Sequence, residues 1–154
     1  MYLRVPDARG FVFNQAYQAV GVGLGAAIGA AVANPKRISV AAIGDGGAFM
    51  TLGELDTAVR SKMPIAVIVY NDDAYGAEVH HFGPGGHPLD TVRFPETDVA
   101  AIGRAAGARG VTIRQRADLE AVREWVVEPT GTIIVDAKVS PDVVGAWLPE
   151  AFRV

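Results

Sequence analysis

Residues 38–76 read ISVAAIGDGGAFMTLGELDTAVRSKMPIAVIVYNDDAYG, and they carry the clearest secondary-structure signal in the chain. It contains two short apolar runs, at residues 38–43 and 65–70, and polar or glycine residues follow each run at once. Between the runs, residues 52–62 carry apolar positions at helical spacing, and Pro64 then prevents the helix from continuing. A strand, a helix and a second strand in this order predict one crossover between parallel strands.

The rest of the chain continues the same alternation of strands and helices. The predicted elements are a helix at residues 16–33, a helix at 99–107 capped by Thr97 or Asp98, a strand at 111–113, a helix at 117–127 and a strand at 132–136. Residues 71–95 are rich in Gly, His and Pro, so we expect a long irregular connection with a functional role. The pattern therefore predicts a single α/β domain with a mostly parallel sheet.

Composition supports one folded domain and excludes several classes of protein. Half of the 154 residues are hydrophobic, which is enough to form a core at this length. The formal net charge is -3 and neither sign forms a long run, so we expect no nucleic-acid partner. Cysteine is absent, which excludes disulfides, a thiol nucleophile and a zinc knuckle and fits a reducing cytoplasm.

The apolar segment at residues 16–33 has Gln18 as its only clearly polar member. Its glycines Gly21, Gly25 and Gly29 repeat at the spacing that lets membrane helices approach closely. The segment is mostly Ala and Gly, however, so its transfer into a bilayer is poorly favoured, and no other stretch resembles a membrane span. We therefore expect a buried helix that lies tightly against a sheet or a partner chain, and no membrane association.

Polar side chains follow both strands of the predicted crossover. Asp45 comes directly after the first strand and Asn71 directly after the second. In parallel sheets the ligand crevice lies beyond the carboxyl ends of the strands, so both side chains should face one pocket. A carboxylate and an amide oxygen are ligands that Mg²⁺ accepts when phosphates and water complete its octahedron. Glycines around Asp45 let backbone N–H groups approach phosphate oxygens, and the pocket therefore suits a metal-bridged diphosphate.

Three ordered features of this sequence resemble one enzyme family. They are the glycine-alanine segment at residues 19–30, the GDGG motif at residues 44–47 and the Asn-Asp-Asp segment at residues 71–73. Together they resemble the thiamine-diphosphate-dependent enzymes of the acetolactate synthase, pyruvate oxidase and benzoylformate decarboxylase group. The resemblance implies a three-layer αβα fold in which residues 1–154 form the diphosphate-binding domain. It also implies thiamine diphosphate and Mg²⁺ as cofactors, and decarboxylation or carboligation of a 2-oxo acid as the reaction.

The resemblance assigns roles to individual residues. The side chains of Asp45 and Asn71 and the main-chain carbonyl of Asp73 would hold Mg²⁺. The positions assigned to the cofactor itself are Gln18, Val20, Gly44, Gly46, Gly47, Ala48, Tyr75 and Gly76. Two positions depart from the family pattern, because Asp72 stands where a second Asn is common and Val20 stands where a larger Met, Leu or Ile is usual.

The resemblance also implies a partner. In this family the cofactor lies across two domains, and a glutamate of a pyrimidine-binding domain activates it. Residues 1–154 match only the other domain, so turnover would require a pyrimidine-binding domain or subunit, and the isolated chain would be inactive. Glu54 falls in the helix after the glycine motif, where the resemblance gives it a structural role. The flat face of the glycine-alanine helix also favours a homo-oligomer or hetero-oligomer.

Other interpretations of the same residues stay open. The chain could be the small subunit of a two-chain 2-oxo acid decarboxylase, or a non-catalytic cofactor-binding or assembly module. Residues 21–26 match a permissive dinucleotide fingerprint, which would indicate a nucleotide-binding oxidoreductase domain. That fingerprint needs a strand immediately before it, and residues 14–18 do not predict one. Taken singly, Asp45 could cap a helix and Asn71 could shape a turn.

Three histidines lie in or near the glycine-rich connection. His80, His81 and His87 do not have a usual zinc spacing. Because His80 and His81 follow closely after Asn71, one of them could reach a substrate and move a proton, or both could be solvated loop residues.

Overall fold

Four parallel strands form one sheet in the computed structural model, which describes residues 4–5, 7–14, 19–146 and 148. The strands are β1 (Ser39–Gly44), β2 (Ile65–Asn71), β3 (Arg109–Ile113) and β4 (Thr132–Lys138). Their order across the sheet is β1-β2-β4-β3, and each neighbouring pair is parallel. The predicted α/β fold with a mostly parallel sheet is confirmed.

Helices cover both faces of the sheet within the described part of the chain. They are α1 (Gly23–Ala33), α2 (Asp45–Phe49), α3 (Glu54–Ser61), α4 (Gly76–Phe82), α5 (Val99–Ala105) and α6 (Glu120–Val127). Apolar residues of α1, α3 and α5 pack on one face of β1, β2 and β4, and α6 packs Trp125 on the other face. This gives the three-layer αβα arrangement that the family resemblance implied.

Strand β1 differs from the prediction of a buried strand. It pairs with β2 on one side only, and its alternate residues face the α1 side of the sheet. Val40 points away from that side and is 57% exposed, and Tyr70 on the neighbouring β2 is 48% exposed. The difference arises because the cluster around Trp125 of α6 covers β4, β3 and part of β2 but does not include Val40 or Tyr70. Within the described ranges, no helix has the combination of length and apolarity that crossing a bilayer requires.

Two helix predictions near the glycine motif are wrong in their boundaries. The predicted helix at 16–33 begins only at Gly23, because residues 19–22 form a turn in which Gly21 has a φ of 88°. Residues 16–18 lie outside the described ranges. The glycine motif, expected as a loop, forms the short helix α2, and the predicted helix at 52–62 is shortened to α3.

The long connection after β2 is more regular than predicted. It contains α4, a single 3-10 turn at Gly83–Gly85 and a short return segment in which Arg93 pairs with Ala74. The predicted cap of the following helix is confirmed, since the Asp98 carboxylate accepts the Ala101 N–H at 2.8 Å.

Candidate cofactor and metal site

The ends of β1 and β2 bring Asp45 and Asn71 to the same edge of the sheet. The last aligned pair of β1 and β2 is Gly44 with Tyr70, and Asp45 and Asn71 are the residues that follow this pair along the two chain segments. Neighbouring strands lie about 5 Å apart, so the two side chains start from adjacent positions. The expectation that they share one edge of the sheet therefore agrees with the register.

The Asp45 carboxylate joins two loops of the site. Asp45 is 2% exposed. Its Oδ1 accepts the Gly46 N–H at 2.8 Å, and its Oδ2 accepts the Ala74 N–H at 3.2 Å. Among the described residues, no arginine or lysine forms an ion pair with it. A buried carboxylate without a cation is unfavourable, so this position suits a bound metal ion.

The neighbouring carboxylates of Asp72 and Asp73 also favour a cation beside Asp45. Burial raises the pKa of the Asp45 carboxyl, and the carboxylates of Asp72 and Asp73 raise it further, whereas its two backbone hydrogen bonds lower it. Burial also raises the pKa of Asp72, which nearby His80 partly offsets. Negative charge is therefore concentrated at the carboxyl end of β2, where a divalent cation would be attracted.

The Asn71 carboxamide is held from three sides. Asn71 is 1% exposed. Its Nδ2 donates to the Asp136 carboxylate at 2.9 Å and to the Thr97 carbonyl at 3.3 Å, and its Oδ1 accepts the Asp73 N–H at 3.1 Å. All these contacts agree on which end of the amide carries the oxygen.

Asp73 adopts a left-handed backbone conformation with a φ of 55°. Such a conformation is uncommon outside glycine and occurs at tight functional turns. The Asp73 carbonyl accepts the Phe94 N–H at 2.7 Å, so the return segment of the long connection closes over the turn. A carbonyl oxygen has two lone pairs, so this contact leaves one for a metal ion.

The glycine motif is shaped by its aromatic neighbours. A Cβ at Gly46 would overlap the ring of Tyr75, which itself packs edge-on against Phe94 with ring centroids 4.8 Å apart. Gly44 is exposed at the end of β1, whereas the side chain of Ala48 is buried in the core. Ala48 can therefore contact a ligand only through its backbone.

Two further assigned positions, Val20 and Gly76, lie close to the glycine motif and to the end of β2. Val20 is exposed and lies beside Gly47, since a Cβ added to Gly47 would be 3.6 Å from Val20 Cγ1. Gly76 begins α4, and a Cβ there would overlap the Asp72 carboxylate. The assignment of Gln18 falls outside the described residues.

An open groove runs from the turn before α1, at Gly21 and Val22, along α1. Its volume is about 860 Å³, and its lining includes Gly21, Gly25, Met50 and Glu54. Glu54 therefore faces the groove from the start of α3, and the structure does not bring it to Asp45 or Asn71 by any hydrogen bond within the described residues.

Comparison with known proteins decides the family. Residues 1–137 match the family described as thiamine pyrophosphate enzyme, C-terminal TPP binding domain. The chain belongs to this family. It is 30% identical over 138 residues to acetolactate synthase of Bacillus subtilis (strain 168), and 37% identical over 109 residues to alpha-keto-acid decarboxylase of Mycobacterium ulcerans (strain Agy99).

Solved structures agree with the fold of this thiamine pyrophosphate enzyme domain. Benzoylformate decarboxylase from Polynucleobacter necessarius superposes with a TM-score of 0.72 over 81% of this chain, at 22% identity. That alignment covers 24% of the solved chain, and the two curated relatives are matched over 90% and 71% of this chain but only 24% and 18% of their own lengths. The chain therefore spans about a quarter or less of these proteins.

The dinucleotide alternative requires a strand immediately before the fingerprint at residues 21–26. Ala19 and Val20, the described residues directly before Gly21, are not part of a strand, and residues 15–18 lie outside the described ranges.

The sequence analysis missed a polar cluster behind the candidate metal ligands. It consists of Asp136 and Lys138 on β4 and Thr97 before α5. A signal was available, because Asp136 is a charged residue at the end of the apolar run 132–135, as Asn71 is after 65–70. Of the three histidines, His80 and His81 lie on α4, where His80 is near Asp72, whereas His87 lies in irregular chain after the 3-10 turn.

Proposed function

We propose that this thiamine pyrophosphate enzyme domain holds the diphosphate of its cofactor through Mg²⁺ bound by Asp45, Asn71 and the Asp73 carbonyl. The observation that carries the proposal is the buried Asp45 carboxylate, which has no ion-pair partner in the described part of the chain and lies beside Asn71 in the register. All three donors are hard oxygens, which Mg²⁺ prefers.

The donor set leaves room for a metal ion on each oxygen. Each Asp45 oxygen accepts one backbone N–H, and Asn71 Oδ1 and the Asp73 carbonyl accept one each. Carboxylate and carbonyl oxygens have further lone pairs, so coordination does not require these hydrogen bonds to break. The described residues contain no cluster of three or more His, Cys, Asp or Glu side chains arranged for a metal. The proposed set differs from such clusters because it combines one carboxylate, one amide and one carbonyl.

The glycine turn would receive the cofactor beside the cation. Gly47 and Ala48 offer backbone N–H groups at the first turn of α2, whereas the Gly46 N–H donates to Asp45 Oδ1, and Gly44, Tyr75 and Gly76 border this turn. The family resemblance also assigns Val20 and Gln18 to the cofactor, and Val20 lies beside Gly47. When bound there, thiamine diphosphate would supply the nucleophilic carbon that decarboxylation of a 2-oxo acid requires.

The substrate class follows from the relatives. The matched proteins include an acetolactate synthase and an alpha-keto-acid decarboxylase, so we assign a 2-oxo acid as substrate and decarboxylation or carboligation as the reaction. The absence of cysteine fits a cytoplasmic location for such an enzyme.

Turnover would require a pyrimidine-binding domain or subunit in addition to this domain. The exposed small-residue face of α1 and the groove beside it form a surface on which such a partner could pack closely. The share of the relatives that the chain covers supports the same conclusion.

Titration calorimetry with thiamine diphosphate, with and without Mg²⁺, tests this proposal. We expect wild-type protein to bind the cofactor only with Mg²⁺, and Asp45→Ala to abolish that metal-dependent binding while leaving the helical circular dichroism unchanged. Asp56→Ala is the matched control, because Asp56 is an exposed carboxylate of α3 that forms an ion pair with Arg60. Unchanged affinity in Asp45→Ala, or binding of NAD in place of thiamine diphosphate, would overturn the assignment.

A further inference from the structure

Asp136 is a buried carboxylate that the proposed metal and cofactor contacts do not use. It is 0% exposed and lies on β4, where it aligns with Val69 of β2, two residues before the position that aligns with Asn71. Its Oδ1 accepts the Asn71 Nδ2–H at 2.9 Å, and its Oδ2 accepts the Val99 N–H at 3.1 Å. Lys138 Nζ lies 3.6 Å from the same Oδ2.

The chemistry of these partners fixes the direction of the Asn71 amide. An ionised carboxylate only accepts hydrogen bonds, so the Asn71 NH₂ must turn toward Asp136. The Thr97 carbonyl, a second acceptor on the same side, reinforces this direction, and the Asp73 N–H demands the amide oxygen on the other side. The amide oxygen thus faces the turn at Asp73, where the cation would bind.

We propose that Asp136 is a positioning residue, which holds the Asn71 amide with its oxygen toward the divalent cation. The inference rests on the proposed metal site, because a reversed amide would present an NH₂ group, which cannot ligate Mg²⁺. Lys138 completes the arrangement, since its ammonium lies near Asp136 and donates to the Thr97 carbonyl at 2.8 Å.

The substitution Asp136→Asn tests the inference directly. The oxygen of the introduced amide would face the Val99 N–H and the Lys138 ammonium, because both are donors, and the introduced NH₂ would then face Asn71. The Asn71 amide would have to reverse to accept from it, which turns its own NH₂ toward the cation. We expect the apparent Mg²⁺ affinity, measured by calorimetry at saturating thiamine diphosphate, to fall by about tenfold to a hundredfold.

A charge-preserving swap separates positioning from general support of the fold. In Asn71→Asp combined with Asp136→Asn, residue 71 carries a carboxylate, which presents an oxygen in either orientation. We expect the swap to recover most of the Mg²⁺ affinity that Asp136→Asn loses. A merely structural role for Asp136 predicts no recovery, so a folded double variant that binds as weakly as the single variant would overturn the inference.

The matched control is Thr132→Val, at the other end of β4. Thr132 is buried and its hydroxyl has no hydrogen-bond partner among the described residues, so this substitution changes a buried polar side chain without touching the network. Its Mg²⁺ affinity should equal that of the wild type. Unchanged affinity in Asp136→Asn, while Asp45→Ala has lost binding, would overturn the positioning role and leave the proposed function intact.

A measurement on wild-type protein without cofactor needs no variant to fold and no metal to bind. Hydrogen exchange of the assigned side-chain NH₂ groups by nuclear magnetic resonance should show strong protection at Asn71 relative to the exposed Asn34. Equal exchange rates at the two groups would overturn the inference even if the domain failed to bind thiamine diphosphate.

Discussion

Strand β4 lies inside the sheet and β1 lies at its edge. Neighbouring strands and helices bury most of β4, whereas β1 has exposed residues. The first five residues of β4 are buried, α6 packs Trp125 on them, and its charged Asp136 has partners from β2, α5 and Lys138. Next to β1, in contrast, Val40 and the neighbouring Tyr70 remain exposed. The β4 side of the sheet is therefore enclosed by the chain itself, whereas the β1 side leaves apolar side chains exposed, although Ala41 of β1 packs in a core cluster with residues of α1.

The candidate site lies on the border between these two regions. Asp45 follows the edge strand β1, and Asn71 ends β2, which lies between β1 and β4. Asn71 is therefore held by the completed side of the molecule, whereas Asp45 depends on the turn at Ala74. A cation bound by both residues would tie the two regions together.

Truncation of the largest core side chain on the β4 side should have the largest effect on stability. Trp125→Ala removes a fully buried ring from the α6 layer and the hydrogen bond from its Nε1 to the Thr130 carbonyl at 3.2 Å. We expect a loss of about 3–5 kcal/mol in the free energy of unfolding, measured by urea denaturation. A loss below about 1 kcal/mol would show that the packing of α6 on β4 contributes little to stability.

A smaller loss of stability is expected from adding one carbon atom at Gly110 of β3, where α5 packs closely. A Cβ at Gly110 on β3 would overlap the carbonyl oxygen of Ala100 in α5. Gly110→Ala should therefore displace α5 and lower the free energy of unfolding by about 1–3 kcal/mol. Full stability in this variant would contradict the tight packing of α5 on β3.

The same substitution on the β1 side should act in the opposite direction. Gly25 lies in the middle of α1, and a Cβ there would meet nothing within 4 Å. Alanine is a better helix former than glycine, so Gly25→Ala should stabilise the isolated chain by about 0.5–1 kcal/mol in the same assay. Destabilisation would show that the open face of α1 is already occupied in solution.

The sequence predicted the elements better than their arrangement. Apolar runs bounded by polar residues placed β1 and β2 within one residue of their observed ends. The shared edge of Asp45 and Asn71 followed, because consecutive parallel strands end on the same side. Helix α2 was not predicted, since its glycines have low helix propensity and its conformation depends on the burial of Ala48.

The polar cluster around Asp136 could not be predicted from local sequence patterns, for a different reason. It exists only because β4 inserts between β2 and β3, and residues 71 and 136 are far apart along the chain. Periodicity predicts a strand at residues 132–136 but does not predict its neighbours. The charge of Asp136 within an apolar strand was the one local sign that a partner must lie close by.

The smallest effect on stability is expected at the exposed position of β1 itself. Val40→Thr keeps the β-branched shape of a strand residue and exchanges one exposed methyl group for a hydroxyl. The free energy of unfolding should therefore change by less than about 0.5 kcal/mol. Binding of a hydrophobic dye such as anilinonaphthalene sulfonate should decrease, because Val40 and Tyr70 form apolar surface that the dye can reach. Unchanged dye binding together with a clear loss of stability would show that Val40 is packed within the isolated chain, and the contrast between the edge strand and the central strand would then disappear.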